Sequence, residues 1–187
     1  MKAFPLVLVA AFAALPAAAE TVVPVEHFDS VELEGGGHVT LVHGASQQVR
    51  LLKGSTQYTS FRVRSGQKLV IEACNGNCPP VYDLEIEIAT PDIQAVAIDG
   101  GGHIESRGAF PGQQHLAVAI DGGGNIDVRS IEATNANAAI DGGGHVKLTA
   151  KGNLTAAIGG GGHIEYWGNP KNVTQAVDGG GEVSKGS

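Results

Sequence analysis

Short stretches of alternating residues recur along the second half of the chain, on both sides of runs of glycine. Val118-Ala119-Ile120 precedes one such run, and Ile126-Asp127-Val128 follows it. An alternation with a period of two residues is typical of a strand that buries one face, whereas an amphipathic helix has a period of 3.6 residues. The pattern therefore predicts pairs of short strands that are joined at glycine corners.

These stretches repeat along the chain. Five copies share a frame of two apolar residues, an acidic residue or Gly159, three glycines, a polar residue and an aliphatic residue. The polar residue stands at positions 103, 125, 145, 163 and 182, so the steps between copies are 22, 20, 18 and 19 residues. An outlying copy, Leu33–Val39, has the same frame. Nearly constant spacing indicates a solenoid, because one repeat cannot bury its apolar face alone.

We expect each repeat to form one coil of a β-solenoid, with equivalent residues stacked about 4.8 Å apart. Glycine suits the corner because it tolerates positive φ and lets successive backbones pass closely. A phosphate-binding loop would need Gly-Lys-Ser/Thr and a helix after the glycines. A calcium-binding nonapeptide repeat is about half as long and has Asp after its glycines. The sequence therefore predicts an all-β chain whose irregular β-rich first part, to about residue 90, leads into about five regular coils.

The alternation also predicts which side chains face inward. The inward row before the corners is aliphatic and comprises Ile98, Ile120, Ile140, Ile158 and Val177. The outward row beside it is small and comprises Ala97, Ala119, Ala139, Ala157 and Ala176. We therefore expect an aliphatic core and a flat outer surface.

The corners carry the candidate chemistry. The candidate metal ligands flank the glycines and are Asp99, His103, Asp121, Asp141, His145 and His163. Carboxylates and imidazoles that lie four residues apart across a bend could converge on a divalent metal ion. The competing interpretation is structural: Asp starts a turn by hydrogen-bonding its own backbone, and His starts an exposed strand. Asn125, Gly159 and Glu182 interrupt the two rows, which favours the structural interpretation.

The N-terminus has the pattern of a secretory signal peptide. Met1-Lys2 precedes an apolar stretch from Ala3 to Leu15, and an Ala-x-Ala end follows. We predict a signal peptide over residues 1–19 and a single domain over residues 20–187. No later segment has the 18 or more apolar residues of a membrane helix. We therefore expect a periplasmic or extracellular protein without a membrane span.

The chain has two cysteines, Cys74 and Cys78, which enclose Asn-Gly-Asn. A redox site or half of a zinc site is the functional alternative, but the spacing is not Cys-x-x-Cys and no second cysteine pair exists. An oxidising compartment lets such a pair close a small loop. We predict a disulfide that closes a turn between strands over residues 68–73 and 81–89.

Composition and charge narrow the possible functions. Aromatic residues make up 5% of the chain, so the core must be aliphatic. Twelve Lys and Arg residues against 19 Asp and Glu residues give a net charge of −7, which argues against nucleic acid or an anionic membrane as a partner. No Gly-x-Ser-x-Gly or similar arrangement for a nucleophile is present. We therefore predict a protein that is not an enzyme and holds no cofactor.

Several segments of the chain are typical of one known family, namely Phe28–Leu33, Val42–Leu51, Lys68–Ile71, Ile88–Ile93, the repeated glycine corners and Tyr166–Lys171. With these segments the chain resembles the bacterial family called the putative auto-transporter adhesin, head GIN domain. The resemblance covers residues 27 to about 185, which is nearly all of the predicted mature chain. The corners of this chain read Asp-Gly-Gly-Gly, whereas family corners commonly read Gly-Ser-Gly.

The resemblance implies a secreted bacterial protein with a right-handed, parallel β-helix-like fold and no established activity. Together with the flat outer surface, it predicts a non-enzymatic, adhesin-like binding module. We expect its partner to be a protein or glycan of the cell envelope. Divalent-metal binding by the Asp and His corners is the alternative function. The last coil lacks an obvious cap, so its edge could also pair with another copy of the chain.

Overall fold

The computed structural model describes residues 20–187. Regular secondary structure in this range consists of β-strands alone, which confirms the predicted all-β class. The 15 strands are β1 (Thr21–Val23), β2 (Ser30–Glu34), β3 (His38–His43), β4 (Gln48–Lys53), β5 (Ser60–Arg64), β6 (Lys68–Glu72), β7 (Glu85–Thr90), β8 (Ala95–Gly100), β9 (His103–Arg107), β10 (Gln113–Gly122), β11 (Asn125–Gly142), β12 (His145–Gly160), β13 (His163–Trp167), β14 (Asn172–Gly179) and β15 (Glu182–Lys185).

The signal peptide predicted for residues 1–19 lies outside the described residues. Within residues 20–187, no helix has the length and apolar character needed to cross a membrane.

Parallel pairing arranges most strands in two stacks that are joined at the glycine corners. The first stack contains, in order, β2, β8, β10, the C-terminal parts of β11 and β12, and β14. The second stack contains β3, β9, the N-terminal parts of β11 and β12, β13 and β15. Strands β11 and β12 run from the second stack into the first, and the register between them shifts between Asp127 and Asn135.

The register of the stacks follows the sequence repeat. Ile120 pairs with Ile98 on one side and with Ile140 on the other, and Ile140 pairs with Ile158. Each of these four side chains is 2% exposed. One hydrophobic core cluster includes this row together with inward residues of the second stack, such as Ile104. Burial of aliphatic side chains from both stacks therefore helps to hold the two stacks together.

The corners bring successive backbones close together. Gly122 has a φ of +114°, a backbone conformation that residues other than glycine rarely adopt. A Cβ atom at this position would lie 2.7 Å from the carbonyl oxygen of Gly100 in the preceding coil. Both observations explain why the sequence repeats glycine at this position.

The first part of the chain departs from parallel order. Strands β1 and β4, β4 and β7, and β5 and β6 pair antiparallel, so the sheet is mixed. Only three residues connect β5 to β6, and a connection this short can join only antiparallel strands. The strand predicted over residues 81–89 begins instead at Glu85, because Val81 lies in the preceding loop and is 88% exposed.

The outlying copy of the repeat lies directly beside the first regular copy. Strand β2 pairs with β8, and β3 pairs with β9. Residues 44–94 leave this coil and form strands on its other side, where β6 pairs with β2 and β7 pairs with β3. Two corners that lie far apart in sequence are therefore neighbours in the sheet.

The loop between β6 and β7 contains the disulfide. The sulfur atoms of Cys74 and Cys78 are bonded, and their Cα atoms lie 6.1 Å apart.

At the other end of the molecule, β14 pairs with β12 alone among the described strands, and all its residues are exposed. Val177 of β14 is 43% exposed although it belongs to the inward row. The last coil therefore presents an edge with apolar side chains.

Candidate functional site

The outer surface of the first stack carries two rows of side chains that we call the Ala–Asp face. The small row contains Ala97, Ala119, Ala139, Ala157 and Ala176, and the acidic row contains Glu34, Asp99, Asp121, Asp141 and Asp178. A shallow groove of about 370 Å³ runs along both rows from Glu32 to Gly159. The groove exists because alanine leaves space between the larger side chains on either side.

The four aspartates of the acidic row are not neutralised by any side chain of residues 20–187. Glu34 lies 3.4 Å from a guanidinium nitrogen of Arg64, but no ion pair involves Asp99, Asp121, Asp141 or Asp178 in residues 20–187. Asp99, Asp121 and Asp141 lie on successive strands about 4.8 Å apart, so these three exposed carboxylates repel one another, whereas Gly159 separates Asp141 from Asp178. A ligand with cationic or hydrogen-bond donor groups would relieve this repulsion.

A ladder of asparagine side chains strengthens the same stack. The amide of Asn153 donates a hydrogen bond of 2.7 Å to the Asn135 carbonyl oxygen and accepts one of 2.8 Å from Asn172. Asn135 in turn donates to the backbone carbonyl of Gln114. These bonds connect four successive strands of the first stack, β10, β11, β12 and β14.

The outer surface of the second stack is different, because it mixes imidazoles with charges of both signs. One row contains His38, His103, Asn125, His145, His163 and Glu182. The next outward row contains Thr40, Glu105, Asp127, Lys147, Glu165 and Ser184. We call these two rows together the His face.

Three side chains of the His face converge. The rings of His38 and His103 have centroids 4.7 Å apart, and Nε2 of His38 lies 3.0 Å from Oε1 of Glu105. One ligand atom from each of the three residues lies within 4.8 Å of the other two. This is the sole such group of three His, Cys, Asp or Glu residues among the described residues. All three are half-buried.

The backbone determines this arrangement. His38 and His103 each begin a strand directly after a glycine corner, and the amide of His103 donates a hydrogen bond of 2.8 Å to the carbonyl of Gly37. Glu105 follows His103 by two residues, so its side chain leaves the strand on the same side. The cluster therefore depends on the register between β3 and β9.

The surroundings favour a neutral imidazole and an ionised carboxylate. Burial lowers the pKa of His103, and the nearby His38 lowers it further. Burial tends to raise the pKa of Glu105, but its contacts with His38 and Arg107 outweigh this effect, and the pKa is lowered. Neutral histidine and ionised glutamate are the forms that bind metal ions.

Most of the predicted metal ligands lie elsewhere. Asp99, Asp121 and Asp141 belong to the Ala–Asp face, on the other side of the corners from the histidines. The rings of His145 and His163 are tilted relative to each other with centroids 6.3 Å apart, and Asn125 separates them from His103. Of the six predicted residues, His103 alone belongs to the converging group.

The sequence-based set of ligands did not include His38 and Glu105. The outlying copy Leu33–Val39 places His38 in the same frame as His103, and this shared frame was the signal for it. Glu105 could be identified from the alternation, because it is the next outward residue after His103. His38 and Glu105 lie close together because β3 pairs with β9, although 65 positions separate the paired residues His38 and His103. A repeat of about 20 residues does not predict this pairing.

Several solved structures are similar to this chain. A crystal structure of a putative adhesin from Bacteroides fragilis has 14% identity and a TM-score of 0.51, and the match covers 89% of this chain and 96% of that one. A putative adhesin from Parabacteroides merdae has 14% identity, a TM-score of 0.39 and coverage of 90% and 96%. A putative lipid binding protein from Parabacteroides distasonis has 13% identity, a TM-score of 0.41 and coverage of 90% and 96%.

At 14% identity, the likeness to the Bacteroides protein extends to the fold alone. No curated protein matches the sequence. Residues 27–114 and 112–170 match the family described as putative auto-transporter adhesin, head GIN domain. These segments cover most of the chain and confirm the resemblance found in the sequence. The chain therefore belongs to the putative auto-transporter adhesin, head GIN domain family.

Proposed function

We propose that the protein is a non-enzymatic, adhesin-like binding module of the cell envelope or extracellular space, and that the Ala–Asp face contacts its partner. One observation carries the proposal: the groove of about 370 Å³ combines a floor of alanine side chains with the carboxylates of Asp99, Asp121 and Asp141, none of which forms an ion pair within residues 20–187. Membership of the adhesin-like family supports the same function and location.

The Ala–Asp face is suited to binding without rearrangement. Alanine side chains have no rotamers to lose when a partner covers them, so their burial has no side-chain entropy cost. The asparagine ladder and the paired strands hold the backbone in place. The carboxylates of Asp99, Asp121 and Asp141, on three successive strands, can accept hydrogen bonds from the hydroxyl or ammonium groups of an extended partner. A protein or glycan of the cell envelope can supply such groups.

We also infer that the two stacks wind as a right-handed β-solenoid and that residues 20–187 form a single domain. Parallel strands of one sheet are joined by right-handed crossovers in about 98% of cases. One core cluster that extends from Val23 to Ile164 supports a single domain. The exposed edge of β14 is a candidate contact for a second copy, because its backbone groups are free to pair on one side.

Co-sedimentation with purified peptidoglycan sacculi tests the binding proposal. Sacculi carry both sugar hydroxyls and peptide ammonium groups in an extended array. We expect residues 20–187 to sediment with the sacculi and Ala139→Arg to reduce the bound fraction at least fivefold, because the new side chain fills the groove. Addition of salt should weaken binding, since the contribution of the carboxylates is screened.

Ala109→Arg is the matched control, because Ala109 is exposed but lies in the loop after β9, away from the groove. It should bind as the unsubstituted protein does. Equal binding by the Ala139 and Ala109 variants would contradict the assignment of the face. If the protein binds neither sacculi nor protease-treated envelope fragments nor envelope protein, the proposed function is wrong.

A further inference from the structure

We propose that His38, His103 and Glu105 form a binding site for one divalent transition-metal ion, for which Zn²⁺ is the simplest probe. This inference does not rest on the proposed binding function, because the three residues belong to the His face. It differs from the ligand set predicted from the sequence, because it requires no aspartate of the acidic row.

The types of donor atom in the cluster fit such an ion. Two imidazole nitrogens and one carboxylate oxygen are ligands that Zn²⁺ accepts, and zinc sites with three protein ligands leave one position for water. Ca²⁺ and Mg²⁺ prefer sets of oxygen ligands, so the two imidazoles argue against them.

The distances between the donor atoms also fit. In a tetrahedral site with bonds of about 2.0–2.1 Å, the ligand atoms lie about 3.3 Å from one another. His38 Nε2 and Glu105 Oε1 are 3.0 Å apart, and all three ligand atoms lie within 4.8 Å of one another. Small rotations of the side chains would therefore be enough to surround an ion. The backbone would not have to move, because the strand register already holds the three residues together.

The site has space for further ligands. A shallow cavity of about 190 Å³ lies on one side and is lined by His38, Glu87 and Arg107, among others. Another of about 220 Å³ lies on the other side and is lined by His103, Asp127 and His145, among others. Solvent can therefore reach the cluster from both directions.

The charged side chains around the cluster determine which carboxylates are available to bind the ion. Asp127 is next to Glu105 in the register, but its carboxylate accepts hydrogen bonds from the Arg129 side chain, the shortest of 2.6 Å. Arg107 forms an ion pair with Glu105. Arg107 and His38 both contact Oε1 of Glu105, so binding of the ion at Oε1 would require the Arg107 guanidinium to move to Oε2, the second oxygen of the carboxylate. His38 would exchange its hydrogen bond with Glu105 for a bond to the metal.

Titration calorimetry of residues 20–187 after treatment with a chelator tests the proposal, with ZnCl₂ as the titrant. We expect one Zn²⁺ per chain and a higher melting temperature with Zn²⁺ than without it. His103→Gln and Glu105→Gln should each weaken binding at least about tenfold, because loss of a supporting group outside the ligand shell already costs 10–100-fold. Electron paramagnetic resonance of bound Cu²⁺ should show two coordinated nitrogens.

His145→Gln is the matched control, because His145 occupies the same row one strand beyond Asn125. It should bind Zn²⁺ as tightly as the unsubstituted protein. Circular dichroism in chelator should give the same spectrum for all three variants, which separates loss of the metal from loss of the fold. An unfolded His103 variant would be replaced by His38→Gln, for which we expect the same tenfold loss.

Three results would overturn the proposal. The first is no heat and no change in melting temperature with Zn²⁺, Ni²⁺ or Cu²⁺. The second is a loss of binding in the His145 variant that matches the loss in the His103 variant. The third is undiminished binding by Glu105→Gln.

Discussion

Gly142 and Gly160 occupy the same corner position in successive coils, and a Cβ atom on Gly160 would lie 2.6 Å from the carbonyl oxygen of Gly142. The same oxygen accepts a hydrogen bond of 3.0 Å from the amide of Gly161. A side chain at position 160 would therefore press on a backbone atom that already holds the two coils together.

Gly160→Ala should lower the free energy of unfolding by about 2–4 kcal/mol. The substitution forces a non-glycine residue into a φ of +122°, which costs of the order of 1–3 kcal/mol, and adds the contact with the Gly142 oxygen. Urea unfolding followed by circular dichroism measures the change. Gly161→Ala is the matched control, because a Cβ atom there meets nothing within 4 Å. Equal stability of the two variants would contradict this account of the corner.

Asn153→Ala should reduce stability by about 1–2 kcal/mol, since it removes two hydrogen bonds that each contribute about 0.5–1.5 kcal/mol. Thermal or urea unfolding measures the loss. Thr155→Ala, at the next outward position of the same strand, provides the comparison and should have a smaller effect. If the two variants are equally stable, the ladder does not contribute.

Replacement of both Cys74 and Cys78 by Ser should cost at most about 2 kcal/mol, because the disulfide closes a loop of only a few residues. Reduction of the unsubstituted protein should produce the same loss of stability. A thiol assay in denaturant should detect free cysteine only after reduction. Free thiols before reduction, in protein purified from an oxidising compartment, would contradict the disulfide.

The protein without metal should become less stable as the pH falls below about 6.5. Because the pKa of folded His103 is lowered from 6.5, the unfolded chain takes up its proton at higher pH than the folded chain does, and acid favours unfolding. The groups that face His103 are His38, Glu105 and Asp127. The lowered pKa of Glu105 acts in the same direction, because its contribution is present above the unfolded pKa and is lost at more acidic pH.

Urea unfolding at pH 7.5 and 5.5, in the presence of chelator, measures this effect. The difference between the two pH values should be smaller in His103→Asn than in the unsubstituted protein. His115→Asn, at an exposed position of β10, should leave the difference unchanged. A pH dependence that is the same in both variants would show that His103 does not contribute.

The sequence was informative where the repeat is regular. The copies from Ala97 to Val183 predicted which residues pair, because the steps of about 20 residues place equivalent side chains on neighbouring strands, as the pairing of Ile120 with Ile98 and Ile140 confirms. The antiparallel pairs of the first part were not predicted. Their partners, such as β4 and β7, are set by contacts between distant segments, and no repeated spacing marks them.

The two candidate surfaces were predicted to different extents. Alternation was enough to identify the Ala row and the acidic row, since both consist of successive copies of the repeat. The cluster of His38, His103 and Glu105 was not predicted as a group, because His38 comes from the outlying copy. Which strands lie beside the outlying copy depends on how residues 44–94 pack in the folded chain. The repeat in the sequence does not reveal this packing.

The uniform hydrogen bonding at the corners has a consequence for how such a protein can change in length. The amide of His145 donates a hydrogen bond to the carbonyl of Gly124, and the amide of His163 donates one to the carbonyl of Gly144. Each repeat therefore presents the same backbone donors and acceptors to the next repeat. A duplication or deletion of one coil would therefore leave matching surfaces on both sides of the junction. Each added repeat would lengthen the Ala–Asp face by about 4.8 Å. If this face binds an extended partner as we propose, gene duplication would adjust the number of contacts and hence the avidity.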